Sequence, residues 1–134
     1  MVVCYIGAGS NLGDRRKHIK RALQMIASLK GTRVVKSSRI IESDAVGGPK
    51  DNPRFLNAAI KVETKLTPLE LLSALKRIER DLGRKKSRAR WGPRVIDLDI
   101  LFYSGKIVKR RDLKIPHRRV FEREFVIKPL LEVI

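Results

Sequence analysis

Arg94-Val95-Ile96-Asp97-Leu98-Asp99-Ile100-Leu101-Phe102-Tyr103 alternates apolar and acidic residues before running fully apolar. A period of two marks a strand, because successive side chains point to opposite faces. Ile96, Leu98, Ile100 and Phe102 then share one face, and Asp97 and Asp99 the other. The apolar face is expected to pack under helices. The two aspartates should start roughly 6.5–7 Å apart on the opposite face, close enough to converge on one or two cations.

Working outward, residues 84–93 form a very basic loop with Arg84, Lys85, Lys86, Arg88 and Arg90, and Gly92-Pro93 turns it into the strand. Before it, Thr67-Pro68-Leu69-Glu70 is a capping box with proline at the first helical position. Leu72, Leu75, Ile78 and Leu82 make the helix stripe, and Gly83 sits where a C-terminal cap belongs. Residues 55–64 read as another strand, with Leu56, Ala58, Ile60 and Val62 on one face and Phe55 and Asn57 on the other. Residues 47–53 are a loop by turn chemistry, and residues 33–42 a strand. Residues 2–7 open the chain as a strand. A helix follows, capped by Asp14, with Ile19, Ala22, Leu23, Ile26 and Leu29 at helical spacing and Gly31 at its end. Ser104-Gly105 turns into a short returning segment, and a helix over residues 122–132 ends the chain.

The order strand, helix, strand, strand, helix, strand matches an α+β, ferredoxin-like plan. It is an antiparallel sheet with two helices on one face (βαββαβ), extended here by a C-terminal hairpin and helix. No internal repeat or linker divides the 134 residues, so one domain over 1–134 is expected. Cys4, the one cysteine, lies in an apolar run and reads as a buried small hydrophobe. No apolar run approaches a membrane span, and no cleavable leader pattern opens the chain, so no membrane and a cytoplasmic location are expected.

Lys and Arg total 31 against 14 Asp and Glu, a formal charge of +17. Such a balance attracts polyanions: nucleic acid, nucleotides or phosphorylated substrates. If the two chemistry-bearing strands share a sheet, Phe55, Asn57, Asp97 and Asp99 project from one surface. That surface offers an aromatic platform, an amide and a carboxylate pair. Mg²⁺ suits the pair, and the basic loop offers cations for phosphate oxygens. The pair could instead form salt bridges with neighbouring arginines, the loop could be merely solvated, and Phe55 could be core. A nucleic-acid module on the same fold is the rival reading. It is disfavoured by two carboxylates on the face a phosphate backbone would approach and by 5% aromatic content. Non-specific nucleic-acid binding from the charge alone is a separate expectation.

Arg90-Trp91-Gly92-Pro93-Arg94-Val95-Ile96-Asp97-Leu98-Asp99-Ile100-Leu101 resembles the signature of the 6-hydroxymethyl-7,8-dihydropterin pyrophosphokinase family of folate biosynthesis. Gly9-Ser10-Asn11-Leu12-Gly13, Phe55-Leu56-Asn57-Ala58-Ala59, Arg77-Ile78-Glu79, Pro116-His117, and Arg123 with Phe125 agree in order and spacing. The resemblance implies transfer of pyrophosphate from ATP to the pterin hydroxymethyl group, releasing AMP, by an enzyme that generally works as a monomer. It implies two Mg²⁺ ions held by Asp97 and Asp99, and arginines Arg84 and Arg94 over the phosphates. Phe55 and Phe125 would sandwich the pterin, Asn57 would bond the ring edge, and Ala45 and Val46 would lie in the pterin loop. Arg77, Glu79, Arg90, Trp91, Ile100, His117 and Arg123 would serve ATP, although a helix-surface ion pair is an alternative for Arg77 and Glu79. Two departures stand out: Ala45 where a proline is common, and Arg118 where an aromatic is familiar.

Overall fold

A computed structural model describes residues 1–43, 54–83, 95–118, 120 and 122–134. Its elements are β1 (Val2–Ser10), α1 (Arg15–Ala27), β2 (Thr32–Ser37), β3 (Ile41–Ser43), β4 (Phe55–Thr64), α2 (Pro68–Asp81), β5 (Asp97–Tyr103), β6 (Val108–Lys109), β7 (Lys114–Ile115) and α3 (Glu124–Val133). The main sheet is antiparallel in the order β2-β4-β1-β5, with β3 also paired to β4. β6 and β7 form a separate hairpin.

Local signals start both main helices. Asp14 accepts the Lys17 N–H at 3.2 Å. Thr67 Oγ1 accepts the Glu70 N–H at 3.2 Å while the Glu70 carboxylate accepts the Thr67 N–H at 2.9 Å. The buried stripe of α2 is Leu71, Leu75, Ile78 and Glu79. Leu71 therefore takes the central place expected of Leu72, which is half-buried beside Leu82. The helix phase is set by which face meets the sheet, and both residues satisfy the spacing rule.

α1 and α2 pack on one sheet face, where Cys4, Ile6, Ala8, Ala58, Ile60, Val62, Ile96, Leu98 and Ile100 meet Ile19, Ala22, Ile26, Leu71, Leu75 and Ile78. Burial pushes the Cys4 thiol up to about 12, so it is inert packing. α3 covers part of the other face, with Leu130 and Val133 against Ala59, Leu101 and Val120. Glu132 ties α3 down by accepting the Arg39 N–H at 2.8 Å.

Three expectations change. β1 runs to Ser10 rather than residue 7, because Gly7, Ala8 and Gly9 keep their partners on β4 despite glycine's poor strand propensity. The single strand over 33–42 is two. A bulge falls between Val34 and Lys36, and at Ser38 a hydroxyl enters the ladder: Ser38 Oγ accepts the Ala59 N–H at 2.8 Å. β5 has a bulge as well, since Tyr5 pairs with Phe102 but Ile6 pairs with Ile100. One inserted residue re-aims everything beyond it. Leu101 is thus buried under α3, and Phe102 packs there too instead of with Ile96, Leu98 and Ile100. Tyr103 returns to the helix side, and its hydroxyl donates to the Leu66 carbonyl.

Candidate active site

Glycines make the floor of the face opposite α1 and α2. Gly9 on β1 pairs with Asn57 of β4 on one side and Asp97 of β5 on the other. Gly7 likewise lies between Ala59 and Asp99. The rows Asn57–Gly9–Asp97 and Ala59–Gly7–Asp99 therefore span two strand spacings, about 10 Å, with only glycine in the middle; the Leu101 side chain lies over Gly7, 3.4 Å from where a β-carbon would stand. Phe55 is half-buried at the same end of β4 and lies against Gly9: a β-carbon on Gly9 would sit 3.4 Å from Phe55 Cδ1 and 3.2 Å from Asn57 Oδ1. α3 packs over Ala59 and Leu101, and Phe55, Asn57, Asp97 and Asp99 border the glycine strip beside it, the trough.

Asn57 is 8% exposed, and its Nδ2 donates to Ser43 Oγ at 2.7 Å. That bond fixes the amide and turns its oxygen over Gly9. Sequence reasoning missed Ser43 and Gly7: Ser43 looks like loop, and the role of Gly7 appears only once its neighbours across the sheet are known. Phe125 sits in the first turn of α3 with the Arg123 guanidinium carbon 5.5 Å from its ring centroid, a cation–π approach. His117 follows β7, and its Nε2 is 3.9 Å from Asp99 Oδ1.

A second concavity lies along the outer edge of β5. This cavity of about 320 Å³ is lined by Leu72 and Lys76 of α2, Leu98, Asp99 and Ile100 of β5, and Arg111, Asp112, Leu113, Lys114, His117 and Arg118 from the hairpin and the turn after it. Its size suits a small-molecule ligand, and its cations suit an anionic one. Lys76, Arg111 and Lys114 were not singled out from sequence. In so basic a chain, a lysine or arginine at the site looks like every other. Asp99 lines the cavity and shares the strand face of Asp97.

Asp97 and Asp99 are a hard-oxygen pair on one strand face. Among the described residues, no three His, Cys, Asp or Glu side chains gather into a ready-made metal cage. That donor set fits Mg²⁺, which takes one or two carboxylates and leaves other positions to water and phosphate oxygens, and it does not fit zinc.

The remaining expected residues divide. Ala45, Val46, Arg84, Arg90, Trp91 and Arg94 lie outside the described residues. Arg77 is exposed on α2 and does not line the cavity. Glu79 is 3% exposed: it accepts the Leu98 N–H at 2.8 Å, and its other oxygen lies 3.8 Å from Nζ of Lys76 on the same helix, so the helix ion pair expected as an alternative is present for Glu79.

An antiparallel sheet that sets paired carboxylates beside a cation-lined cavity defines a small phosphate-handling α/β enzyme. The model of the 7,8-dihydro-6-hydroxymethylpterin-pyrophosphokinase (HPPK) family matches residues 5–134. A 2-amino-4-hydroxy-6-hydroxymethyldihydropteridine pyrophosphokinase from Haemophilus influenzae is 44% identical over 133 residues, spanning 99% of this chain and 82% of its own. One from Bacillus subtilis is 41% identical over 131 residues, covering 98% of this chain and 77% of its own. A crystal structure of an HPPK-DHPS in complex with substrates superposes with a TM-score of 0.71 at 15% identity, over 100% of this chain and 42% of that one. The chain belongs to the HPPK family, and is a pyrophosphokinase of folate biosynthesis.

Proposed function

We propose that the protein transfers the β,γ-pyrophosphate of ATP to 6-hydroxymethyl-7,8-dihydropterin, with Mg²⁺ held by Asp97 and Asp99. The observation that carries this reading is the position of Asp99, which lines a cation-bordered cavity of small-molecule size and shares a strand face with Asp97, across Gly9 from Asn57. The pterin lies against Phe55 and Phe125, whose rings suit a flat polarisable system. Asn57, held by Ser43, reads the ring edge; a site built for such hydrogen bonds rejects rings that lack them. The triphosphate runs from the cavity toward the carboxylates, contacted by His117, Arg118 and Lys114. Arg84, Arg94 and Arg123 act as further clamps on the phosphates.

The hydroxymethyl oxygen bonds to the β-phosphorus. The bond from that phosphorus to the oxygen bridging to the α-phosphate breaks, AMP leaves with that oxygen, and the hydroxyl proton is released. Bound Mg²⁺ supplies positive charge where phosphate oxygens gain negative charge. The protein's own share is to bring the two substrates together in line and exclude water, which is most of what phosphoryl transfer asks of it. The sheet order with α1 and α2 on one face also supports the ferredoxin-like plan as one domain over residues 1–134.

The test mixes protein, ATP, Mg²⁺ and the pterin and resolves the nucleotides. AMP is expected only with pterin present, and Asp97→Ala should lower turnover by at least about 100-fold. ADP as product would overturn pyrophosphate transfer. No turnover, with tight salt-sensitive RNA binding, would favour a nucleic-acid module.

A further inference from the structure

Among the described residues, β5 is an edge strand, bonded in the main sheet to β1 alone. Every second N–H on such a strand points away from its neighbour and needs another acceptor. Leu98 offers one of these, and the Glu79 carboxylate of α2 takes it at 2.8 Å in a buried setting. Leu98 is the residue between Asp97 and Asp99, so the bond grips the strand midway between the two carboxylates while their side chains project to the trough face. Glu79 also breaks the apolar stripe of Leu71, Leu75 and Ile78. A charge on the buried face of a helix is a local violation of the kind that marks function.

We propose that Glu79 is a positioning residue: its carboxylate, bonded to the Leu98 amide, holds the edge strand so that Asp97 and Asp99 present themselves to a common divalent cation. This rests on the metal reading of the aspartates. Two like charges on adjacent same-face positions repel, and an edge strand yields by twisting. α2 is anchored in the core by Leu71, Leu75 and Ile78, and the charge-assisted bond transmits its rigidity to the peptide between the aspartates. The arrangement parallels the outer contacts that orient metal ligands elsewhere, whose loss typically costs about 10–100-fold in affinity.

The test titrates Mn²⁺ into the full chain with ATP present, reads free Mn²⁺ by electron paramagnetic resonance, and follows Leu98 amide exchange by NMR. Glu79→Gln keeps a carbonyl acceptor and should bind within about three-fold of the parent protein. Glu79→Asp is one methylene short of Leu98. It should speed Leu98 exchange and weaken Mn²⁺ binding by about ten-fold or more, as should Glu79→Leu where it folds. Fast Leu98 exchange in Glu79→Asp with Mn²⁺ affinity unchanged overturns the proposal, as does Glu79→Gln binding as weakly as Glu79→Asp. Asp97→Asn separates the two levels. Unchanged binding there overturns the metal reading and this proposal together. Lost binding there, beside unchanged binding in Glu79→Asp, overturns the positioning role alone.

Discussion

Gly9 touches three functions at once: it pairs with Asn57 and Asp97, and it lies under Phe55. A methyl group there meets Asn57 Oδ1 at 3.2 Å, and the amide cannot retreat without stretching its 2.7 Å bond to Ser43. Strand alanine is otherwise better than glycine by roughly 0.5–1 kcal/mol. Gly9→Ala should therefore hold or raise Tm while raising the KM for the pterin about ten-fold, near 1.4 kcal/mol, and leaving the KM for ATP unchanged. Steady-state kinetics with each substrate varied, beside a thermal melt, decides it; an unchanged pterin KM would sink the trough reading. At this scale the sequence was legible where a residue's chemistry stood out against its pattern. Asp97 and Asp99 break an apolar strand visibly. Glu79 breaks an apolar stripe too, but a carboxylate on a helix reads equally as surface until the facing strand is known. Ser43 carried no signal of its own until its bond to Asn57 was known.

Elements are governed by caps, periods and registers. The capping box of α2 closes both ways, so Thr67→Ala removes the acceptor of the Glu70 N–H and loosens the return bond. It should cost about 1 kcal/mol, read as a lower urea midpoint at unchanged m-value. A loss near zero would mean that packing of Leu71, Leu75 and Ile78 alone sets this helix end. The box was readable because its partners are three residues apart. The two bulges were not, because each depends on a strand more than twenty residues away. Val34, Val35, Ile40 and Ile41 carry a strand signal on both sides of the break, and only β4 decides that Ser38 interrupts them. The stretch Ile100-Leu101-Phe102-Tyr103 is apolar throughout, so no alternation within it could reveal that β1 inserts Leu101 as an extra residue.

Across the whole molecule, charge is the governing quantity. With 31 basic and 14 acidic residues, self-repulsion works against the folded state. Three carboxylates, Glu70 exposed and Glu63 and Glu132 half-buried, soften it. Glu63 is held below the ordinary carboxylate range by a hydrogen bond and the charge of Arg33, Glu70 by the Thr67 backbone and hydroxyl, and Glu132 by the Arg39 backbone and side chain. A group with a folded-state pKa below its unfolded value of 4.5 adds stability above that pH and loses it as pH falls through the folded value. Tm should therefore be level around neutrality and fall below about pH 4.5. Adding about 0.3 M NaCl at pH 7 should raise Tm by about 3–6 °C, because screening relieves net repulsion more than it weakens exposed ion pairs worth about 0–1 kcal/mol each. Differential scanning calorimetry at two salt levels checks this, and a fall in Tm with salt would refute the repulsion argument.

What the sequence by itself determined was what short spacings carry: the starts of α1 and α2, the alternation along the strands, and the placing of Asp97 with Asp99 on one face. These follow from backbone geometry within a few residues. What only the tertiary structure decided were features that join distant segments. The glycine floor needs three strands side by side, the cationic cavity needs α2, β5 and the β6–β7 hairpin around one space, and the grip of Glu79 on Leu98 needs a helix against a sheet edge. Their physical reason is the same in each case: the partner that gives the residue its role lies far along the chain, and packing chooses it.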